Sequence, residues 1–256
     1  MLKKREYPIL EFDTCKKSFT EPSELIKPID IPECCVITFF REVVEKKNEN
    51  GELKLIAELK SETLTIPVYE TMYEGKRVAL TLGFVGAAAS AAVFEELIAF
   101  GAKKFIVCGG AGVLQKDIAV GNIVLPIAAI RDEGLSYHYL EPSREVEANK
   151  HAIQVIENEF INDGIKYIKA KTWTTDAIYR ETRDKIALRV SEGCVTVEME
   201  AAAFFAVAQF RKVILGQILY GGDDLSGEAW DLRNWNSRKD TRENLVDLSM
   251  KICLKL

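Results

Sequence analysis

Lys76-Arg77-Val78-Ala79-Leu80-Thr81-Leu82-Gly83 is a short apolar run that reads as a buried strand. Residues 87–100 follow, long, Ala-rich and carrying Glu95-Glu96, and predict a helix stopped by Gly101. Phe105-Ile106-Val107-Cys108 is the next strand, and it runs into a cluster of glycines. The same alternation continues toward the C-terminus. Residues 122–130 read as a strand whose Pro126 predicts an edge position or a bulge. Residues 146–162 are helix-like, 166–175 strand-like and 194–197 a short strand. Residues 201–210 form an apolar helical segment, 213–220 a buried strand, and 240–254 the last helix. On the N-terminal side, residues 45–53 are polar, and Asn48-Glu49-Asn50-Gly51 reads as a turn. Residues 1–30 carry Pro8, Pro22 and Pro28 and read as an irregular arm, either lying on a neighbouring subunit or unanchored.

Strands alternating with helices, with continuously apolar strands, imply an α/β fold with a mixed, mostly parallel central sheet flanked by helices. The chain of 256 residues is read as a single domain over 1–256, with the arm at 1–30. In such sheets ligands bind beyond the carboxyl ends of the strands, so the segments that follow the strands carry the functional argument.

Composition narrows the partners. The net charge of −5 is spread without a long run of one sign, and a nucleic-acid partner ordinarily requires a clustered basic face. No segment reaches the roughly 20 apolar residues of a membrane span. The basic start is followed only by Ile9-Leu10, too little for a signal peptide, so the expectation is a cytoplasmic protein with no membrane partner. The cysteines at 15, 34, 35, 108, 194 and 253 include no CxxC, and His138 and His151 are the only histidines. No metal site is therefore expected, and the thiols read as reduced.

Three segments carry chemistry. Gly109-Gly110-Ala111-Gly112 lets backbone approach a ligand and offers N–H groups to an anion. It lacks the Lys-Ser/Thr of a Walker loop and does not open a helix, and a plain tight turn is the alternative. Val197-Glu198-Met199-Glu200-Ala201 places two acids where a buried strand becomes an apolar helix. Carboxylates buried there need donors, which ribose hydroxyls supply. The alternative, an acidic helix N-terminus, accounts for Glu200 but not for the whole group. Gly221-Gly222-Asp223-Asp224 follows the strand 213–220 and suits acid/base work, a metal or a solvated loop. The aromatics of Thr172-Trp173-Thr174-Thr175-Asp176-Ala177-Ile178-Tyr179-Arg180 can stack on a flat base or pack in the core.

Together these residues resemble the nucleoside phosphorylase family, which includes uridine phosphorylase and the hexameric purine nucleoside phosphorylases. The likeness rests on residues 86–101, on the glycine cluster followed by Val120-Gly121-Asn122-Ile123-Val124, on Thr175-Asp176-Ala177-Ile178-Tyr179, and on Val197-Glu198-Met199-Glu200-Ala201-Ala202. Residues 131–139 look closest to the uridine phosphorylase branch. The resemblance implies that Met199 and Glu200, preceded by Glu198, bind ribose. It implies that Asp223, assisted by Arg242, is catalytic and protonates the base. It puts Trp173, Tyr179 and Arg180 in the base-contacting region and Gly109, Gly110 and Ala111 at phosphate. The uracil-reading Gln-x-Arg is replaced by Arg180-Glu181-Thr182-Arg183.

The family's phosphate-binding Arg and Ser/Thr are replaced by Val107 and Gly110, with Arg41, Arg77 or Arg131 as candidates to compensate. The expected activity is phosphorolysis of a nucleoside, with phosphate as co-substrate and no cofactor. Hydrolysis by water is the alternative that the missing Arg and Ser/Thr support. A ligand-binding protein without catalysis is a third reading, and a dinucleotide-binding oxidoreductase lacks its glycine fingerprint. The resemblance also implies a homo-oligomer, a dimer or a hexamer built as a trimer of dimers.

Overall fold

The computed structural model describes residues 2–256. Its elements are α1 (Pro22–Leu25), β1 (Cys34–Thr38), α2 (Arg41–Glu49), β2 (Lys54–Lys60), β3 (Thr65–Tyr73), β4 (Lys76–Leu82), α3 (Ala87–Phe100) and β5 (Lys104–Val113). They continue with β6 (Ile123–Asp132), β7 (Glu145–Glu147), α4 (Lys150–Asn162), β8 (Tyr167–Thr175), α5 (Arg183–Ser191), β9 (Cys194–Glu198), α6 (Ala201–Arg211), β10 (Ile214–Asp224) and α7 (Lys239–Cys253).

One mixed sheet organises the chain. The ladders β4–β1, β1–β5 and β5–β10 are parallel, as are β6–β8 and β8–β9. β2 and β3 add an antiparallel edge beside β4. Antiparallel pairs β5–β9 and β10–β6 close β5, β9, β8, β6 and β10 into a ring. The ring interior is filled by Ala111, Val113, Ile118, Val124, Val195 and Leu219. One face of the sheet is covered by the apolar sides of α3 and α6 through Phe94, Leu97, Phe204 and Phe205. The other is covered by α2, α4 and α7 through Val43, Ile156, Leu245 and Met250. Apolar area removed from water on both faces is the main stabilising term for strands of this composition.

The helix over 87–100 forms as its composition predicts, stopped by Gly101 at φ +125°. Several local expectations are refined or corrected. The glycines 109–112 are not a turn: β5 runs through them to Val113, paired with β10 at Leu219↔Gly109 and Tyr220↔Gly110 and with β9 at Gly112↔Val197. Their small size has a packing reason, since a Cβ on Gly112 would lie 2.6 Å from Leu225 Cδ1 and 2.9 Å from Val197 Cγ1. Of the two positions expected for Pro126, the bulge is the one found: the strand is interior, and a bulge between Pro126 and Ala128 absorbs the ladder bond that proline cannot donate. Residues 146–148 belong to β7 and the turn after it, and helix α4 begins at Lys150, where the Asn149 side chain accepts from Ala152 N–H. The strand 213–220 likewise extends to Asp224, which fixes Asp223 on a strand end rather than a loop.

Residues 2–30 are largely exposed and are tied down at Glu21, whose carboxylate accepts from Arg211 at 3.0 Å while Arg211 also binds Glu95 at 2.7 Å, and at Ile29, whose N–H donates to the Phe100 carbonyl at 3.1 Å. All six cysteines are free, and five are buried. Among the described residues no helix is long and apolar enough to cross a membrane, and no group of His, Cys, Asp or Glu is arranged to hold a metal ion.

Candidate active site

The carboxyl ends of β5, β9 and β10, the segments after β1, β4 and β8, and the 225–238 segment enclose a cavity of about 580 Å³. Glu198, Met199 and Glu200, the glycine segment Gly109, Gly110 and Ala111, and Asp223 with Trp230 and Trp235 all line it. Residues distant in sequence converge because parallel strands deliver their carboxyl ends to one side.

The two acids around Met199 divide their work. Glu198 closes β9 and turns inward, where its Oε2 accepts from the N–H groups of Glu200 (2.7 Å) and Ala201 (2.6 Å), and its Oε1 from Thr174 Oγ1 (2.6 Å). It satisfies the otherwise unpaired N–H groups at the start of α6. Glu200 does not cap that helix. Its Oε1 accepts from Gly86 N–H at 2.6 Å, at a glycine whose φ of +107° disfavours any other residue. The acidic helix terminus, the alternative raised for Glu200, is instead held by Glu198, and both acids line the cavity. Burial raises the pKa of Glu200 to about 8, with the charge of Glu198 adding to it. Burial likewise raises Glu198 to about 7, against the hydrogen bonds from Thr174 and the backbone that lower it.

Asp223 accepts a hydrogen bond from the indole Nε1 of Trp230 at 2.6 Å. Neighbouring Asp224 is turned away and paired with Arg233. Arg242 lines the cavity, but its partners differ from those expected. Its Nε donates to the Tyr220 hydroxyl at 3.0 Å and its Nη1 to Glu42 at 2.5 Å, and the guanidinium lies 5.0 Å from both the Phe40 and the Trp235 ring centroids. No hydrogen bond joins Arg242 to Asp223 among the described residues. Trp235 covers the glycines: a Cβ on Gly110 would meet its ring at 3.1 Å.

The base-contacting expectations separate. Tyr179 lines the cavity from its rim, 95% exposed. Trp173 is 0% exposed and does not line it. Its Nε1 donates to Asp132 at 3.0 Å, and Lys185 and Arg189 lie over its ring, so its stacking partners are cations of α5. A large ring on a strand between two covered faces is held by the core it fills. Arg180 is exposed and outside the cavity lining.

The candidate replacements for the family's phosphate ligands also separate. Arg131 is buried and held by Ser136, Ser143 and the carbonyl of Glu141. Arg77 is paired with Asp30 and Glu70. Arg41 is exposed, with Glu45 at 3.5 Å as its ion-pair partner.

Among the polar lining residues, two have no role in the sequence analysis. Gln217, 2% exposed, has a buried Oε1 without a partner. A single amide inside the apolar run 213–220 was its available signal. Glu181 lines the cavity after the 3-10 turn Ile178–Arg180, and was noticed in sequence only as a departure from a known motif.

Residues 34–256 match the model of the Phosphorylase superfamily, and the chain belongs to that family. It is 25% identical over 204 residues to a guanosine phosphorylase of Halorubrum lacusprofundi, covering 77% of this chain and 81% of that one. It is 28% identical over 194 residues to a DeoD-type purine nucleoside phosphorylase of Caldanaerobacter subterraneus subsp. tengcongensis, covering 72% and 78%. The crystal structure of uridine phosphorylase from Vibrio fischeri ES114 has the same fold, with a TM-score of 0.76 at 22% identity over 92% of this chain and 98% of that one.

Proposed function

We propose that this protein is a nucleoside phosphorylase, a pentosyltransferase that cleaves the N-glycosidic bond of a purine or pyrimidine nucleoside with phosphate, giving free base and (deoxy)ribose 1-phosphate. The observation that carries this reading is that Glu200 and Asp223 line one cavity of a chain that belongs to the Phosphorylase superfamily. Its relatives along most of the chain are named as guanosine and purine nucleoside phosphorylases, which favours phosphorolysis over hydrolysis.

Breaking the bond builds positive charge on the sugar ring and negative charge on the departing base, and catalysis comes from stabilising both in the transition state. Glu200, fixed by Gly86 N–H, holds the sugar hydroxyls beside Met199 while Glu198 holds the turn that presents them. Asp223, on a strand end and held by Trp230, faces the base and supplies it a proton or hydrogen bond. Arg242 supports this wall through Tyr220. The Gly109–Ala111 edge receives phosphate, the co-substrate, and no cofactor is required. The protein is proposed to act in the cytoplasm as a homo-oligomer, a dimer or a hexamer built as a trimer of dimers.

A panel of nucleosides incubated with and without phosphate, with base release followed by chromatography, tests the reading. Phosphate-dependent release with ribose 1-phosphate as product is expected. Release of free ribose at the same rate without phosphate would replace it with hydrolysis.

A further inference from the structure

Gln217 stands in β10 among neighbours that offer its amide nothing. It is 2% exposed and lines the cavity, its Oε1 is buried without a partner, and among the described residues no hydrogen bond joins the amide to protein. Leu215 and Leu219 flank it on the same face of the strand, and Val107 lies opposite it in the β5 ladder. The helix over this face, α6, carries only alanine, phenylalanine and valine from 201 to 208. An amide buried without a partner is destabilising, whereas methionine or leucine would fill a similar volume without that loss. Position narrows what the partner can be. Six residues of β10, about 20 Å of extended strand, separate Gln217 from Asp223. Gln217 also lies two residues before Leu219, which pairs with Gly109. With the base at Asp223 and phosphate along Gly109–Ala111, the amide is at the sugar–phosphate end of the cavity.

We infer that Gln217 is a substrate-binding residue whose amide pairs with a hydroxyl at that end: the ligand O–H donates to Oε1, and Nε2–H donates to an oxygen of the same ligand. This deepens the proposed function and rests on it for the direction in which the nucleoside lies. An amide carries one acceptor oxygen and two N–H donors, and a hydroxyl group answers both, giving its proton and offering lone pairs. Two groups of the substrate pair have this chemistry, a ribose hydroxyl and the P–OH of protonated phosphate. Sulfate, fully ionised at neutral pH, has oxygens of the same arrangement but no O–H to give. A site built to hydrogen-bond a hydroxyl rejects the analogue that lacks it, because the buried amide is then left unpaired. Being neutral, the amide takes such a group without adding charge to a cavity that already holds Glu198, Glu200 and Asp223.

The test compares the wild type with Gln217→Met and Gln217→Leu by urea unfolding and by calorimetry. The titrants are phosphate, sulfate, and guanosine, adenosine and uridine with their 2′-, 3′- and 5′-deoxy forms, each added alone. Both variants are expected to keep or raise the urea midpoint, since no protein hydrogen bond is lost, while binding of the hydroxyl-bearing ligand weakens about tenfold to a hundredfold. If phosphate is the source, phosphate weakens, the preference for phosphate over sulfate disappears, and nucleosides bind as before. If the sugar is the source, the parent nucleoside weakens, and the deoxy form lacking that one hydroxyl binds wild type and variants alike. Variants that bind every ligand as the wild type does, or that lose midpoint and all binding together, overturn the assignment. Selective loss in a protein that forms no ribose 1-phosphate keeps Gln217 and overturns phosphorolysis. Ribose 1-phosphate formed with binding independent of Gln217 does the opposite, and no binding of any ligand to the wild type overturns both.

Discussion

Replacing Glu200 by glutamine measures the free energy of keeping a carboxyl in the cavity wall. Glu200 is 6% exposed, and burial with the charge of Glu198 raises its pKa from 4.5 to about 8. A folded-state value above the unfolded one means that the group favours folding below pH 4.5 and that this contribution is lost as pH rises toward 8. At pH 7 the native protein must retain a proton there or bury a charge, whereas the unfolded chain ionises freely. At about 1.4 kcal/mol per pH unit, the difference accumulated by pH 7 is about 3 kcal/mol, against less than about 1 kcal/mol at pH 5. Glutamine has the shape of the neutral acid and keeps an acceptor for Gly86 N–H. The Glu200→Gln protein should therefore be more stable than its parent by about 3 kcal/mol at pH 7 and by under about 1 kcal/mol at pH 5. Urea unfolding at both pH values and one protein concentration reads this directly, since association shifts apparent stability. An equal stability difference at the two pH values would refute the account of Glu200 as a carboxyl destabilised by burial.

Asp223→Asn should lower kcat by about 10²- to 10⁴-fold while changing nucleoside binding little, measured by steady-state kinetics and calorimetry. Trp173→Phe removes the hydrogen bond to Asp132 and should cost about 1–2 kcal/mol of stability by urea unfolding. It should leave the ranking of nucleosides unchanged, because the ring does not line the cavity. KM for phosphate should rise between pH 6 and pH 9. Over that range Glu181, Glu198 and Glu200, raised to about 7, 7 and 8, lose protons beside Asp223, with Arg242 the one lining cation among the described residues and already paired to Glu42. A KM that is flat or falls would remove these carboxyls from the phosphate's surroundings.

Much of the fold was legible because its signals are local. The Ala-rich run before Gly101 is α3, the apolar run before Lys212 is α6, and the strands expected at 166–175, 194–197 and 213–220 correspond to β8, β9 and most of β10. The failures share a cause. Gly109 to Gly112 looked like a turn because glycine signals flexibility, yet their conformation is set by Phe39, Trp235 and Leu225 packing where side chains would otherwise stand. The segment 34–73 carries β1, β2 and β3, and the sequence reading recovered only its turn at Asn48–Gly51. β2 is mostly exposed and carries charge along its length, so it shows no clean alternation to read.

The site was legible as residue types but not as partnerships. Glu198, Glu200 and Asp223 stand out in sequence as acids at strand ends, and Met199 through the family resemblance. Which acid caps α6 and which faces the cavity depends on the turn at 199–200 and on Gly86, contributed from 114 residues away. Arg242 was placed near Asp223 by its spacing from the end of the chain, but Glu42 and Tyr220, from two other elements, compete for its guanidinium. The same holds for charge. A cavity with four acids and one committed arginine would repel phosphate if every carboxyl were ionised. Three of them are held up to about 7 or 8 by burial, so near neutral pH protons supply part of the compensation that Val107 and Gly110 do not. On this view the missing cation on β5 and the raised carboxyls around the cavity are linked: each tolerates the other only while the site stays largely uncharged.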